Sequence, residues 1–106
     1  MATCNLSLKV MPRVRGGDKA RTYAIVDKVL EYIRTTGLPY FTGPSETTIE
    51  GELDPLLDIL RDAQRICVRE GADQVFTIAH VSYREDGQSY QERLDRTVEH
   101  RESAGS

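Results

Sequence analysis

The stretch TTIEGEL, residues 47–53, alternates like a strand yet carries a carboxylate at Glu50, on the same face of the alternation as Thr48. Other side chains able to do chemistry are sparse: Ser7 and Lys9 in CNLSLKVMP, Tyr40 in LPYF, and His80 and Arg84 in QVFTIAHVSYR. A carboxylate, a hydroxyl, an imidazole and a guanidinium on one surface are the ingredients of a small polar pocket. Buried alone, Glu50 would cost on the order of several kcal/mol, so it requires a partner: Lys9, Arg84, another subunit or a ligand. A structural ion pair to Lys9 or Arg84, with His80 at an interface, accounts for the same residues without any ligand.

Catalytic chemistry has little to stand on. There is no Ser, His and Asp set in a suggestive context, no phosphate loop, and no HxE or HExxH spacing. Cys4 and Cys67 are far apart and belong to no CxxC pair. Cys67 falls on an apolar helical stripe and reads as a core residue, whereas Cys4 reads as exposed or paired with a symmetry mate. Without a nucleophile or a metal, Glu50 and His80 form only a generic acid–base pair. The expectation is a non-catalytic protein with no cofactor and no metal.

The elements that must position these groups follow from periodicity. Residues 4–12 put Leu6, Leu8 and Val10 on one face and Asn5, Ser7, Lys9 and Met11 on the other, a half-buried strand that Pro12 is expected to end. From about Arg21 the apolar residues Ala24, Ile25, Val29, Leu30 and Ile33 recur at helical spacing, with Gly37 as the stop. LPYF, the turn TGPSE and the TTIEG strand make a hairpin. Asp54 is expected to cap a second helix with Pro55 in its first turn and a stripe of Leu56, Ile59, Leu60, Ala63, Ile66 and Cys67, ending near Gly71.

The last strand, residues 74–84, is apolar on both faces, and from about Gln88 the spacing of Tyr90, Leu94 and Val98 predicts a third helix. The order is βαββαβ plus a helix, which predicts an α+β, ferredoxin-like antiparallel sheet with an additional C-terminal helix. In its usual strand order, 4-1-3-2, Glu50, Ser7 or Lys9, and His80 share one sheet surface. A sheet apolar on both faces needs a second cover, from another subunit, the third helix or both.

With 106 residues the chain reads as one domain over 1–102 and a frayed tail over 103–106. Its net charge of −3, from 14 basic and 17 acidic residues, argues against a phosphate-tracking surface and hence against nucleic acid. The basic loop of Arg13, Arg15, Lys19 and Arg21 is interrupted by Asp18 and reads as solvated. No stretch approaches the ~20 apolar residues of a membrane span, and the start lacks a signal-like apolar run, so the expected compartment is the cytoplasm and no membrane partner is expected.

GLPY at 37–40, TTIEGEL at 47–53 and FTIAHVSYRED at 76–86, in that order, resemble the YkoF-type thiamine-binding family of small single-domain proteins. The resemblance covers roughly residues 4–86, from Pro12 closing the first strand to Arg84 and Asp86 closing the last. It implies a ferredoxin-like fold, a homodimer or dimer of dimers built through sheet surfaces, and thiamine or its hydroxymethylpyrimidine part as a small-molecule ligand at or near an interface. Thr47, Glu50 and Gly51 match the motif directly. The sequence departs from it at Glu46, where a Gly is common, at RVRGG after Pro12, and at His80, where Lys or Arg is usual. His80 thereby implies a pH-sensitive contact.

An aminopyrimidine presents a ring nitrogen beside an exocyclic amine, which a carboxylate at Glu50 would recognise, with Tyr40 or Phe76 stacking on the ring. The ligand-binding set is Ser7, Tyr40, Thr47, Thr48, Glu50, Gly51, His80 and Arg84. The competing reading is an oligomeric scaffold or regulatory interaction module without a small-molecule ligand.

Overall fold

Alternation in the strands and an apolar stripe on each helix leave one economical arrangement, in which both helices cover the same face of one sheet. The computed structural model describes residues 3–84. Within them the chain runs β1 (Thr3–Arg13), α1 (Lys19–Thr35), β2 (Tyr40–Thr42), β3 (Thr47–Gly51), α2 (Leu53–Arg69) and β4 (Gln74–Arg84). The helix expected from about Gln88, the Asp86 of the family pattern and the tail over 103–106 lie outside the described residues.

The strands form a four-stranded sheet in the order β2-β3-β1-β4, antiparallel at every pairing. β1 is therefore central. Leu6 lies opposite Ile49 of β3 on one side and Val81 of β4 on the other, so these three share the helix face. Cys4, Leu6, Leu8 and Ile49 meet Ile25, Val29 and Ile33 of α1 and Leu56, Ile59, Ala63, Ile66 and Cys67 of α2 in one core. Each large aliphatic side chain so buried contributes roughly 1.5–3 kcal/mol. Cys4, expected to be exposed or paired, is fully buried here because it occupies the same phase of the alternation as Leu6 and Leu8. Burial pushes the thiols of both Cys4 and Cys67 up from their ordinary range.

The ends of the elements show where local chemistry decides. α1 starts at Lys19, two residues before Arg21, because the Asp18 side chain accepts a hydrogen bond from the Arg21 amide at 3.0 Å. α2 starts two residues earlier than its sequence implies. Glu52, not Asp54, is the N-cap, and its carbonyl accepts from the Leu56 amide at 3.2 Å. Pro55 remains tolerable there, since the third helical residue has no amide partner to lose. At the other end, the amides of Gly71 and Ala72 reach back to the carbonyls of Val68 and Cys67 at 3.1 and 2.9 Å. This closure needs a residue of positive φ, which Gly71 supplies at 115°.

β1 also outruns Pro12, which pairs with Val75, and ends at Arg13. Pairing of β1 with β3 extends only from Cys4 to Leu8, so beyond Leu8 β1 has a neighbour on one side and a missing amide costs little. The ribbon's end is fastened by the Asp73 amide donating to the Arg13 carbonyl at 2.9 Å and by the Arg13–Asp73 ion pair at 3.0 Å.

The helices are tied to each other and to the sheet by two polar links. Tyr32 of α1 donates to Asp62 of α2 at 2.7 Å, and Thr77 of β4 donates to Gln64 of α2 at 2.6 Å. α2 contacts β4 around Thr77, leaving Val81 and Tyr83, on the helix side, 47% and 49% exposed.

Two outcomes test this packing. Leu6→Ala, at a site with no exposure, should lower the unfolding free energy in a urea melt by about 2–5 kcal/mol. Burial, then the hydrogen bond to Asp62, raises the Tyr32 phenol from 10.0 to about 12. Because the folded value is the higher one, Tyr32 favours the folded state below its ordinary range, and this contribution disappears as pH climbs through the window from 10.0 to about 12. Ultraviolet titration of Tyr32→Phe should lack a phenolate transition near that upper value.

Candidate functional site

The register that buries Leu6 turns its two neighbours the other way. On the face away from the helices, Asn5 lies opposite Glu50 of β3 and Ser82 of β4, and Ser7 lies opposite Thr48 and His80. Six polar side chains thus form two adjacent rows of three across the central strands. Directly opposed side chains on one face have Cβ atoms about 4.5–5.5 Å apart, and successive rows are about 7 Å apart along the strand.

Within the second row, the hydroxyls of Ser7 and Thr48 hydrogen-bond to each other at 2.9 Å. The first row, in register beside this pair, sets a carboxylate and a carboxamide side by side. Glu50 and Ser7 are half-buried, and His80 is exposed at the edge. Asn5, between Glu50 and Ser82, is only 3% exposed, and its Oδ1 is buried without a hydrogen-bond partner among the described residues. Lys9 is exposed opposite Ile78, four residues from Asn5. That places its backbone about 13 Å along the strand from the Glu50 row. Phe41 beside Thr48, and Phe76 and Ile78 along β4, border the polar block with exposed apolar surface.

The residues singled out in the sequence therefore divide by face. Ser7, Thr48, Glu50 and His80 come together, and Arg84 stands two residues beyond Ser82 on the same face. Thr47, Gly51 and Tyr40 lie on the helix side, opposite Leu8, Cys4 and Ile49 respectively. Gly51 has a packing reason to be glycine: a Cβ there would come 3.2 Å from Leu38 Cδ1. Asn5 and Ser82 were not singled out. The alternation assigns each to the outer face, but only the register against Glu50 puts them in its row.

Among the described residues, no group of His, Cys, Asp or Glu is arranged to hold a metal ion, and no helix is long and apolar enough to cross a membrane. The arrangement can bind: it offers adjacent hydrogen-bond acceptors, a hydroxyl pair and flanking aromatic rings.

A two-layer α+β fold with a polar patch on the outer face of its antiparallel sheet defines a class of small single-sheet proteins. The family model for thiamine-binding proteins matches residues 6–99, and the chain belongs to that family. A UPF0045 protein of Clostridium perfringens is 44% identical over 94 residues, covering 89% of this chain and 96% of the relative. A Bacillus cereus structure of a DUF77 domain of unknown function superposes with a TM-score of 0.79 at 38% identity, covering 87% of this chain and 86% of that one. A Thermotoga maritima structure, provisionally assigned to thiamine biosynthesis or salvage, superposes with a TM-score of 0.77 at 25% identity, covering 90% of this chain and 98% of that one.

The hydroxyl pair gives a direct test of the site's construction. Ser7→Ala and Thr48→Val should each destabilise by about 1 kcal/mol, and the double variant by less than their sum. Denaturant melts of the four proteins check the coupling.

Proposed function

We propose that the protein binds thiamine or its hydroxymethylpyrimidine moiety without catalysing a reaction, in storage, salvage or sensing. The observation that carries this reading is the position of Glu50 in a two-row polar block on the outer sheet face of a thiamine-binding family member. An aminopyrimidine offers an amine hydrogen beside a ring nitrogen that can itself be protonated, and a carboxylate accepts both in one plane. The cationic thiazolium of thiamine is further favoured by a carboxylate close by.

In this reading Ser7, Thr48, His80 and Arg84 border the ligand with Glu50, and Phe41 or Phe76 supplies the stacking surface. Thr47, Gly51 and Tyr40, across the sheet, serve by holding β3 and β2 in register. The fold is taken as ferredoxin-like and continued by a helix beyond residue 84, and the cytoplasm as the compartment. The exposed Phe76 and Ile78 favour a homodimer or dimer of dimers meeting through the sheet, which native mass spectrometry would reveal.

Isothermal titration of thiamine and of hydroxymethylpyrimidine should give saturable binding. Glu50→Gln should weaken it by more than about tenfold, or ~1.4 kcal/mol, with the fold intact. Absence of heat with both compounds defeats the reading in favour of an assembly module.

A further inference from the structure

We propose that Asn5 is a second recognition residue of the outer-face site, its Oδ1 accepting an N–H of the ligand's amine beside the contact made by Glu50. The inference rests on the reading that an aminopyrimidine binds on this face.

Asn5 sits in the central strand, only 3% exposed, with an oxygen that has no hydrogen-bond partner among the described residues. Buried polar atoms are nearly always paired, because a protein that leaves one unpaired forfeits its hydration for nothing. Asparagine is also a poor strand former, so a β-branched residue would serve β1 better. The fold gains nothing visible from this side chain. The adjacent Ser7–Thr48 pair shows the contrast: there both hydroxyls are consumed within the protein at 2.9 Å.

What the oxygen would accept follows from its neighbour. Asn5 and Glu50 are register partners on one face, so their Cβ atoms stand about 5 Å apart across the strands and an amide oxygen lies beside a carboxylate. Two acceptors at that spacing select a group with two N–H bonds diverging from one nitrogen. The exocyclic amine of an aminopyrimidine is such a group: one hydrogen goes to Glu50 together with the protonated ring nitrogen, and the second goes to Asn5. A ring bearing a carbonyl in place of the amine would set an oxygen against two acceptors. The Asn5–Glu50 pair thus determines specificity for amino over oxo pyrimidines, a discrimination of about a hundredfold or more for a site built on paired polar groups.

The experiment compares wild type, Asn5→Ala and Asn5→Leu by calorimetric titration with thiamine and with its 4-oxo analogue, and by thermal melting without ligand. Asn5→Ala should weaken thiamine binding about tenfold or more and narrow the preference over the oxo analogue. Ligand-free Asn5→Leu, which removes the unpaired oxygen at similar volume, should melt about 2–4 °C higher than wild type. Thiamine affinity and preference unchanged in Asn5→Ala would overturn the assignment. If wild type binds neither compound, the ligand reading fails separately, and melting decides the rest. A higher melting point for Asn5→Leu keeps Asn5 as an acceptor awaiting a donor, and an equal or lower one removes it. Should Asn5→Leu not fold, the binding of Asn5→Ala decides in the first case, and the melting of Asn5→Ser, judged by the same rule, in the second.

Discussion

The register of β1 against its two neighbours is the constraint from which the rest follows. Side chains on a strand alternate with a period of two, so placing Leu6 opposite Ile49 and Val81 leaves no freedom for Asn5 and Ser7. They must face away from the helices, in line with Glu50 and Thr48 on one side and Ser82 and His80 on the other. A slip of one residue would carry the polar block into the core and Cys4, Leu6 and Leu8 into solvent. The energy that protects the site is therefore apolar burial on the opposite face of the same strand.

Much of this was legible in the sequence because alternation and helical stripes are local signals. The faces of β1, β3 and β4 follow from residue order alone, and so does the grouping of Ser7, Thr48, Glu50 and His80 once the strand order is known. Other features depend on what lies across the sheet. Pro12 looked like a terminator, but its tolerance comes from β3 ending its pairing at Leu8. Asp54 looked like a cap, but the helix begins where the Glu52 carbonyl first finds an amide. Cys4 looked peripheral because nothing local says that β1 begins under the helices. Asn5 is the sharpest case: its type and face are evident, but its row beside Glu50 and Ser82 is set only by the register of two distant strands.

The two faces of β3 divide the work of the TTIEG motif. Thr48 and Glu50 belong to the polar block, whereas Thr47 and Ile49 are buried beneath the helices and Gly51 leaves room for Leu38 and Leu56. A five-residue signature of this kind mixes an outward polar face with packing, and a motif match alone does not separate them. The separation matters when variants are read: a change at Gly51 presses on Leu38 in the core, and one at Glu50 alters the outer polar face.

The strand that organises the sheet is the first of the described elements to be made, while its longer partner, β4, is the last. Leu6 waits for a residue at position 81 to complete its pairing. The first half of the polar rows, Asn5 with Glu50 and Ser7 with Thr48, is available to a nascent chain as soon as β3 emerges, but Ser82 and His80 arrive only with the final strand. Contacts this distant in sequence slow folding, because the chain closes a long loop before the contact repays it. Until then one edge of β1 stays open, and during synthesis that edge is the part of the chain most in need of protection from pairing with a stranger.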